Sequence, residues 1–362
     1  MKRFLVEYNT FRSHLLEIRD YLVSMNQSPQ AQRIQKLITP SNTDASLQNY
    51  LLGLQKSRTS QIVNSAIIIS LYGCYENYVF NLLKIFLDLI TESNKNYYQL
   101  PKALQTKYRE VIGTYLSNPQ RFKNRDFQYE TEIEKYNNML HSKFQNSVNP
   151  VFALSHSGNL HMDEVFGLMK NLGIEDPRTK LFDEPIFKHF HISNGMMESE
   201  YSIKRARETT DLCSPIELLI QQRNTVAHNW DNPDRLALEE IENNIIPFVD
   251  LTFDCLCRIC IRESFGLSKA ERIVLRKKTP IKVYNKKIIC FNNQNNPISV
   301  GNYILLSTYK DPEKIKVLKI LNIEVNNVRK KIITSSQAID IGVETDGTIK
   351  DSDRIRAIVN DL

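Results

Sequence analysis

The run Arg223-Asn224-Thr225-Val226-Ala227-His228-Asn229 sets an arginine, an amide and a histidine close together. Arginine brings a permanent charge and a planar fork that matches phosphate oxygens. Histidine can take and give a proton near neutral pH. If the run is helical, Asn224 and His228 are four apart and share a face, while Arg223 lies about 140° around the axis from His228. The two groups can then flank a groove, or one helix can supply half of a site that a second copy completes across a two-fold axis. A histidine near a helix C-terminus is favoured as imidazolium, which suits a general acid or a phosphate ligand.

That set of groups suits metal-independent cleavage of RNA. The neighbouring 2′-hydroxyl attacks the phosphate, and the protein supplies proton transfer and charge stabilisation. DNA lacks this internal nucleophile. The plain alternative is a helix-end Arg and His making local hydrogen bonds, because the bare spacing is common in a chain of this length.

The motif needs a helix to carry it, and the preceding residues provide a start signal. Ser214 can cap, Pro215 fits the first helical position, and Glu217 can reach back to complete a capping box. Asp231-Asn232-Pro233-Asp234 is turn chemistry that stops the helix soon after Asn229.

A chain of 362 residues, 41% hydrophobic and 24% charged, has the composition of a soluble globular protein with room for two domains. Eleven glycines against 16 Tyr and 16 Phe argue for helices rather than a glycine-rich nucleotide fold. The most apolar run, Ile62 to Tyr75, is interrupted by Asn64, Ser65 and Ser70 and is too short to span a membrane. The N-terminus does not read as a signal peptide. The six cysteines show no disulfide spacing, which fits a reducing cytoplasm. The net charge of +6 is uneven: from Gly266 onward 18 Lys and Arg face 10 Asp and Glu, while residues 1–265 carry 29 against 31. The basic excess points to an anionic partner of the C-terminal part.

Along the chain, apolar spacing predicts helices over 1–35, 58–92, 101–116, 127–148, 162–173 and 235–265, the last broken or kinked near Pro247. Residues 58–92 are apolar on most sides at their start and belong at the centre of a bundle. Glu76 within them reads either as a surface carboxylate or as one that pairs with or positions the Arg or His of the motif. Residues 174–213, with Pro177, Pro185 and Gly195, read as an irregular insertion. His189 and His191 could ligate a metal only with further ligands, and none is spaced to help. Cys255, Cys257 and Cys260 read as small buried residues, since 255 and 257 point to different sides of a helix. No metal site is expected. Past Gly266 the pattern becomes alternating, at 281–284, 315–320 and 339–344, with polar turns between, which predicts a small β-barrel or curled sheet. Arg276, Lys277, Lys278, Lys282, Lys286 and Lys287 open this part and are its candidates for contact with RNA.

The string Arg223-Asn224-x-x-Ala227-His228 on a capped helix late in a helical region resembles the HEPN superfamily. Leu71-Tyr72-Gly73-Cys74-Tyr75-Glu76-Asn77-Tyr78-Val79 and Gly158-Asn159-Leu160-His161, with the helix end Leu172-Gly173-Ile174, resemble stand-alone prokaryotic members. The resemblance covers most of residues 1–265 and implies a mainly α fold. A HEPN-type bundle would span 1–265, with a basic β-rich, barrel-like accessory domain at 266–362 that lies outside the HEPN core. It implies a homodimer whose two copies of Arg223 and His228 face one cleft, and a metal-independent endoribonuclease with no cofactor. Arg223 would bind phosphate, His228 would act as acid/base or phosphate ligand, Asn224 would position, and Glu76 is a further carry-over. Such proteins serve as cytoplasmic toxins or in anti-phage defence, cutting tRNA or other RNA, and can have an antitoxin or defence-system partner. The rival expectation is a non-catalytic HEPN module that binds RNA or another protein.

Overall fold

The computed structural model describes residues 2–26, 45–94, 96–118, 129–141, 148–156, 158–228, 236–266, 280–293, 297–308, 315–333 and 338–359. The chain is mainly α with a C-terminal antiparallel curled sheet, as the sequence predicts. Helix α1 (Lys2–Asn26) packs along α2 (Ala45–Ser93). From Val63 the buried side of α2 is the stripe Ile67, Ile68, Leu71, Tyr75, Tyr78, Leu82 and Phe86, repeating at three- and four-residue steps. Then follow α3 (Lys102–Ser117), α4 (Tyr129–Leu140), a single turn α5 (Pro150–Ala153) and α6 (Met162–Asn171).

The stretch 174–213 corrects the expectation of an irregular insertion. It forms three short helices, α7 (Pro177–Phe182), α8 (Pro185–Ser193) and α9 (Glu198–Ala206), and a 3₁₀ turn at Thr210–Cys213. Pro177 and Pro185 open helices instead of breaking them, because the missing N–H of a first-turn proline has no intrahelical partner to lose. His189 and His191 sit on helix α8; His191 is buried between the rings of Phe187, Tyr201 and Phe248, and burial pushes its imidazole below the ordinary range.

The motif helix α10 (Ser214–His228) comes next. After it a turn α11 (Leu238–Glu240) runs through a π-helical turn at Ile241–Ile245 into α12 (Ile246–Glu263). The irregular turn falls where Pro247 withholds a backbone donor from the ladder, so the proline marks a change of helix type before α12. Helix α12 is the central rod of the bundle, with its Cys255, Cys257 and Cys260 thiols buried and free and pushed up by that burial. Among the described residues no three His, Cys, Asp or Glu side chains gather to hold a metal ion, and no helix is long and apolar enough to cross a membrane.

The sheet runs in the order β1 (Lys282–Tyr284), β2 (Ile288–Asn293), β8 (Ile339–Thr345), β5 (Lys316–Val325), β4 (Tyr303–Thr308), β9 (Asp353–Val359), with β6 (Val328–Lys330) also on β5. A separate pair joins β3 (Ile298–Ser299) to β7 (Ile332–Ile333). One face encloses a core of its own, including Ile289, Phe291, Ile304, Ile323, Val343 and Ile355. On the other face Tyr303, Leu305, Val317, Ala357 and Val359 join the core of the helices.

Candidate functional site

Helix α10 lies against α2, and the loop before α6 lies across both. That loop turns at Gly158, whose φ of 93° suits a residue without a side chain. His161 N–H then donates to the Asn159 carbonyl at 2.9 Å, a tight turn that sends Leu160 into the core and leaves Asn159 and His161 on either side of it. Two tyrosines of α2 hold the turn. The Tyr72 hydroxyl accepts the Leu160 N–H at 3.1 Å, and the Tyr75 hydroxyl donates to the Leu160 carbonyl at 3.0 Å.

This fixes the surroundings of Arg223. Its Nη1 donates to Asn159 Oδ1 and to Asn224 Oδ1, each at 3.2 Å, and Asn159 Nδ2 donates to Asn224 Oδ1 at 3.0 Å. The guanidinium lies over the Tyr72 ring, 5.1 Å from its centroid. The Tyr72 hydroxyl also donates to Glu76 Oε1 at 3.2 Å. Burial pushes the Tyr72 phenol up; the Leu160 N–H and Arg223 pull it down, and the Glu76 charge raises it further. Glu76 thus reaches Arg223 through Tyr72 and makes no direct bond to it among the described residues. Nor does any other carboxylate among the described residues pair with Arg223. Two amides and an aromatic face position the guanidinium, and among the described residues no carboxylate neutralises its charge, which is the condition for taking up an anion.

The capping expectation at the start of α10 is corrected. Ser214 is itself helical (φ −51°, ψ −34°) and continues out of the 3₁₀ turn, whereas a capping residue has extended backbone. Glu217 does not turn back on its own helix. Its Oε1 accepts the Met162 N–H at 3.1 Å, capping α6 from outside, and its Oε2 lies 2.5 Å from His161 Nδ1.

Arg223, Asn224 and Glu76 are therefore brought into one neighbourhood. His228 ends helix α10, and its side chain lies outside the described residues. Arg276, Lys277 and Lys278 also lie outside them. Lys282 is on β1, and Lys286 and Lys287 follow in the hairpin turn to β2; all three are exposed, and none bonds to the cluster around Arg223 among the described residues. Strand register puts Lys282 and Arg329 in one row across the sheet with Glu324 and Cys290, and Glu344 stands in the next row on the same face. That face is mixed in charge rather than basic. Tyr72, Asn159 and His161 are the site neighbours that residue-by-residue reading passes over, and Glu217 is one that it assigned to a cap. For Tyr72 the signal was its place one helical turn before Glu76; for Asn159 and His161 it was a polar pair around a single apolar residue in a glycine turn.

Residues 31–262 match the family model described as RiboL-PSP-HEPN. No curated protein and no solved structure matches the chain.

Proposed function

The chain belongs to the RiboL-PSP-HEPN family, a family of nuclease or RNA-binding kind, and from that premise we propose that it is a metal-independent endoribonuclease. The observation that carries this reading is Arg223, a guanidinium set in place by Asn159, Asn224 and the Tyr72 ring with no described carboxylate to neutralise it. In the proposed reaction Arg223 holds the scissile phosphate and steadies the charge that grows on its oxygens. Asn224 keeps Arg223 in place, and Glu76 acts on it through Tyr72. His228 transfers a proton, and the neighbouring 2′-hydroxyl is the nucleophile. Two copies of the chain would face one cleft, so the working enzyme is a homodimer. The biological role that fits is a toxin or an anti-phage defence nuclease acting on tRNA or another cellular RNA.

The test is incubation with total RNA in EDTA, wild type beside Arg223→Ala and His228→Ala. Expected are fragments ending in 2′,3′-cyclic phosphate from the wild type, none from the variants, and an unchanged dimer mass in all three. Full cleavage by the double alanine variant overturns the reading. RNA binding that weakens with salt but yields no product would identify a non-catalytic binding module instead.

A further inference from the structure

His161 and Glu217 stand beside this site with nothing yet to do in it. His161 is the residue before α6, with extended backbone (φ −61°, ψ 155°), and its side chain is 47% exposed. Its Nδ1 is 2.5 Å from Glu217 Oε2. A carboxylate at Glu217 accepts the hydrogen of Nδ1, and in its neutral form a ring so held presents the lone pair of Nε2 outward. Nε2 has no hydrogen-bond partner among the described residues. A histidine fixed through one nitrogen by a carboxylate and open at the other is the arrangement of an oriented general base.

Its position relates it to Arg223 in two ways. The tight turn at Leu160 sets His161 beside Asn159, and Asn159 is bonded to Arg223. Glu217 and Asn224 are seven residues apart on α10 and so lie on one stripe. Asn159 thus joins the turn that carries His161 to the guanidinium that would hold an anion. The charged groups around His161 are Glu217 from α10, Asp163 and Glu164 in the first turn of α6, and Arg178 of α7, which pairs with Asp163.

We propose that His161, held by Glu217, is the general base that takes the 2′-hydroxyl proton of the RNA bound at Arg223. This rests on the nuclease reading above. The 2′-oxygen forms a bond to phosphorus, the bond from phosphorus to the 5′-oxygen breaks, and the 2′ proton passes to His161 Nε2. The imidazolium of His228 gives a proton to the departing 5′-oxygen. The products are a 2′,3′-cyclic phosphate and a 5′-hydroxyl, and both histidines exchange roles of protonation in the turnover.

The experiment measures cleavage of a defined single-stranded oligoribonucleotide against pH for wild type, His161→Asn, Glu217→Gln and His228→Ala. A second substrate carries a p-nitrophenyl ester as leaving group on a nucleoside 3′-phosphate. Glu217→Gln keeps an acceptor for the Met162 N–H, so the cap on α6 survives while the charge on His161 is lost. Thermal unfolding confirms that each variant folds. Expected for His161→Asn is a fall in kcat on the order of 10²–10⁴-fold with the acidic limb of the pH profile gone. Glu217→Gln should fall about 10–100-fold. The activated leaving group needs no acid, so it should rescue His228→Ala and leave His161→Asn impaired. A folded His161→Asn that keeps the wild-type rate and pH profile overturns the base assignment alone. A wild type that leaves RNA uncut overturns the nuclease reading and this inference with it.

Discussion

Arg223 on α10 and Arg258 on α12 are two arginines in neighbouring helices of one bundle, and they are built in opposite ways. Arg258 has a side chain 2% exposed, paired with Asp254 at 2.9 Å and with Asp346, and donates to the Val317 carbonyl at 3.2 Å. Asp254 also accepts from Tyr303, and Lys319 stands 3.9 Å from it and donates to the Tyr8 hydroxyl at 3.1 Å. These residues come from α1, α12 and three parts of the sheet region, so the cluster fastens the sheet to the helices. Arg223 has neutral partners. A buried guanidinium surrounded by carboxylates is structural, because its charge is used up and neither side tolerates loss of the other. A half-buried one held, among the described residues, by amides and a ring keeps its charge available to an anion. The partner set, rather than the residue type, separates the two.

The contrast can be broken most severely at Arg258. Arg258→Ala strands Asp254 and Asp346 without their cation and should lower stability by about 3–5 kcal/mol, read from urea unfolding. The same cluster predicts a pH dependence. Burial alone would raise the Asp254 carboxyl, but Arg258 and Lys319 with the hydrogen bonds of Arg258 and Tyr303 bring it below its ordinary 3.8. A depressed folded-state value stabilises fully above 3.8 and is lost as pH falls through the lower folded value. The urea midpoint should therefore drop steeply on going below that pH, and Asp254→Asn should flatten the drop. Arg223→Ala should leave this acid branch unchanged.

Arg223→Lys is the next largest effect, and its reading is reversed. It keeps the charge but loses the fork, so cleavage should fall about 10²–10³-fold. Stability should change by less than about 1 kcal/mol, the scale of a single contact over an aromatic ring. A loss of stability like that of Arg258→Ala would show Arg223 to be structural. A sharper step is Asn159→Asp, which sets a carboxylate against Arg223 where the described residues offer none and makes it resemble Arg258. RNA binding should weaken about tenfold, near 1.4 kcal/mol, and the slope of affinity against salt should shrink by about one. Unchanged affinity and salt slope would mean that Arg223 does not meet the phosphate.

What the sequence could and could not disclose follows the same line. The motif helix, the central helix and the irregular turn before Pro247 were legible because period and proline act locally. Strand β8 was legible because its residues alternate between the sheet core and a more open side, and β5 because Lys316 and Lys319 interrupt its apolar run. Strand β4 was not: Tyr303-Ile304-Leu305-Leu306 is buried on both faces, between the sheet's own core and that of the helices, so nothing alternates. The prolines at 177 and 185 signalled breaks but serve as helix starts, and a single sequence cannot separate those uses where the flanking helices are only six and nine residues long. Arg223 and Asn224 announced themselves by type and spacing. Asn159 and Tyr72 did not, because their importance is a matter of who meets whom across 64 residues in one case and 151 in the other. Glu217 was assigned to its own helix by a local rule and serves a different one, since the α6 terminus offers it an N–H and His161 together.

The smallest expected effect tests the link from Glu76 to Arg223. Tyr72→Phe keeps the ring beneath the guanidinium and removes only the hydroxyl, which donates to Glu76 and accepts from Leu160. Stability should fall by about 1 kcal/mol, the scale of one hydrogen bond with a backbone donor left over. If Glu76 acts through this hydroxyl, Tyr72→Phe and Glu76→Gln should each lower cleavage a few-fold, and the double variant should be no worse than the poorer single one. Additive losses would mean that Glu76 reaches the reaction by another route, and that Tyr72 serves Arg223 through its ring alone.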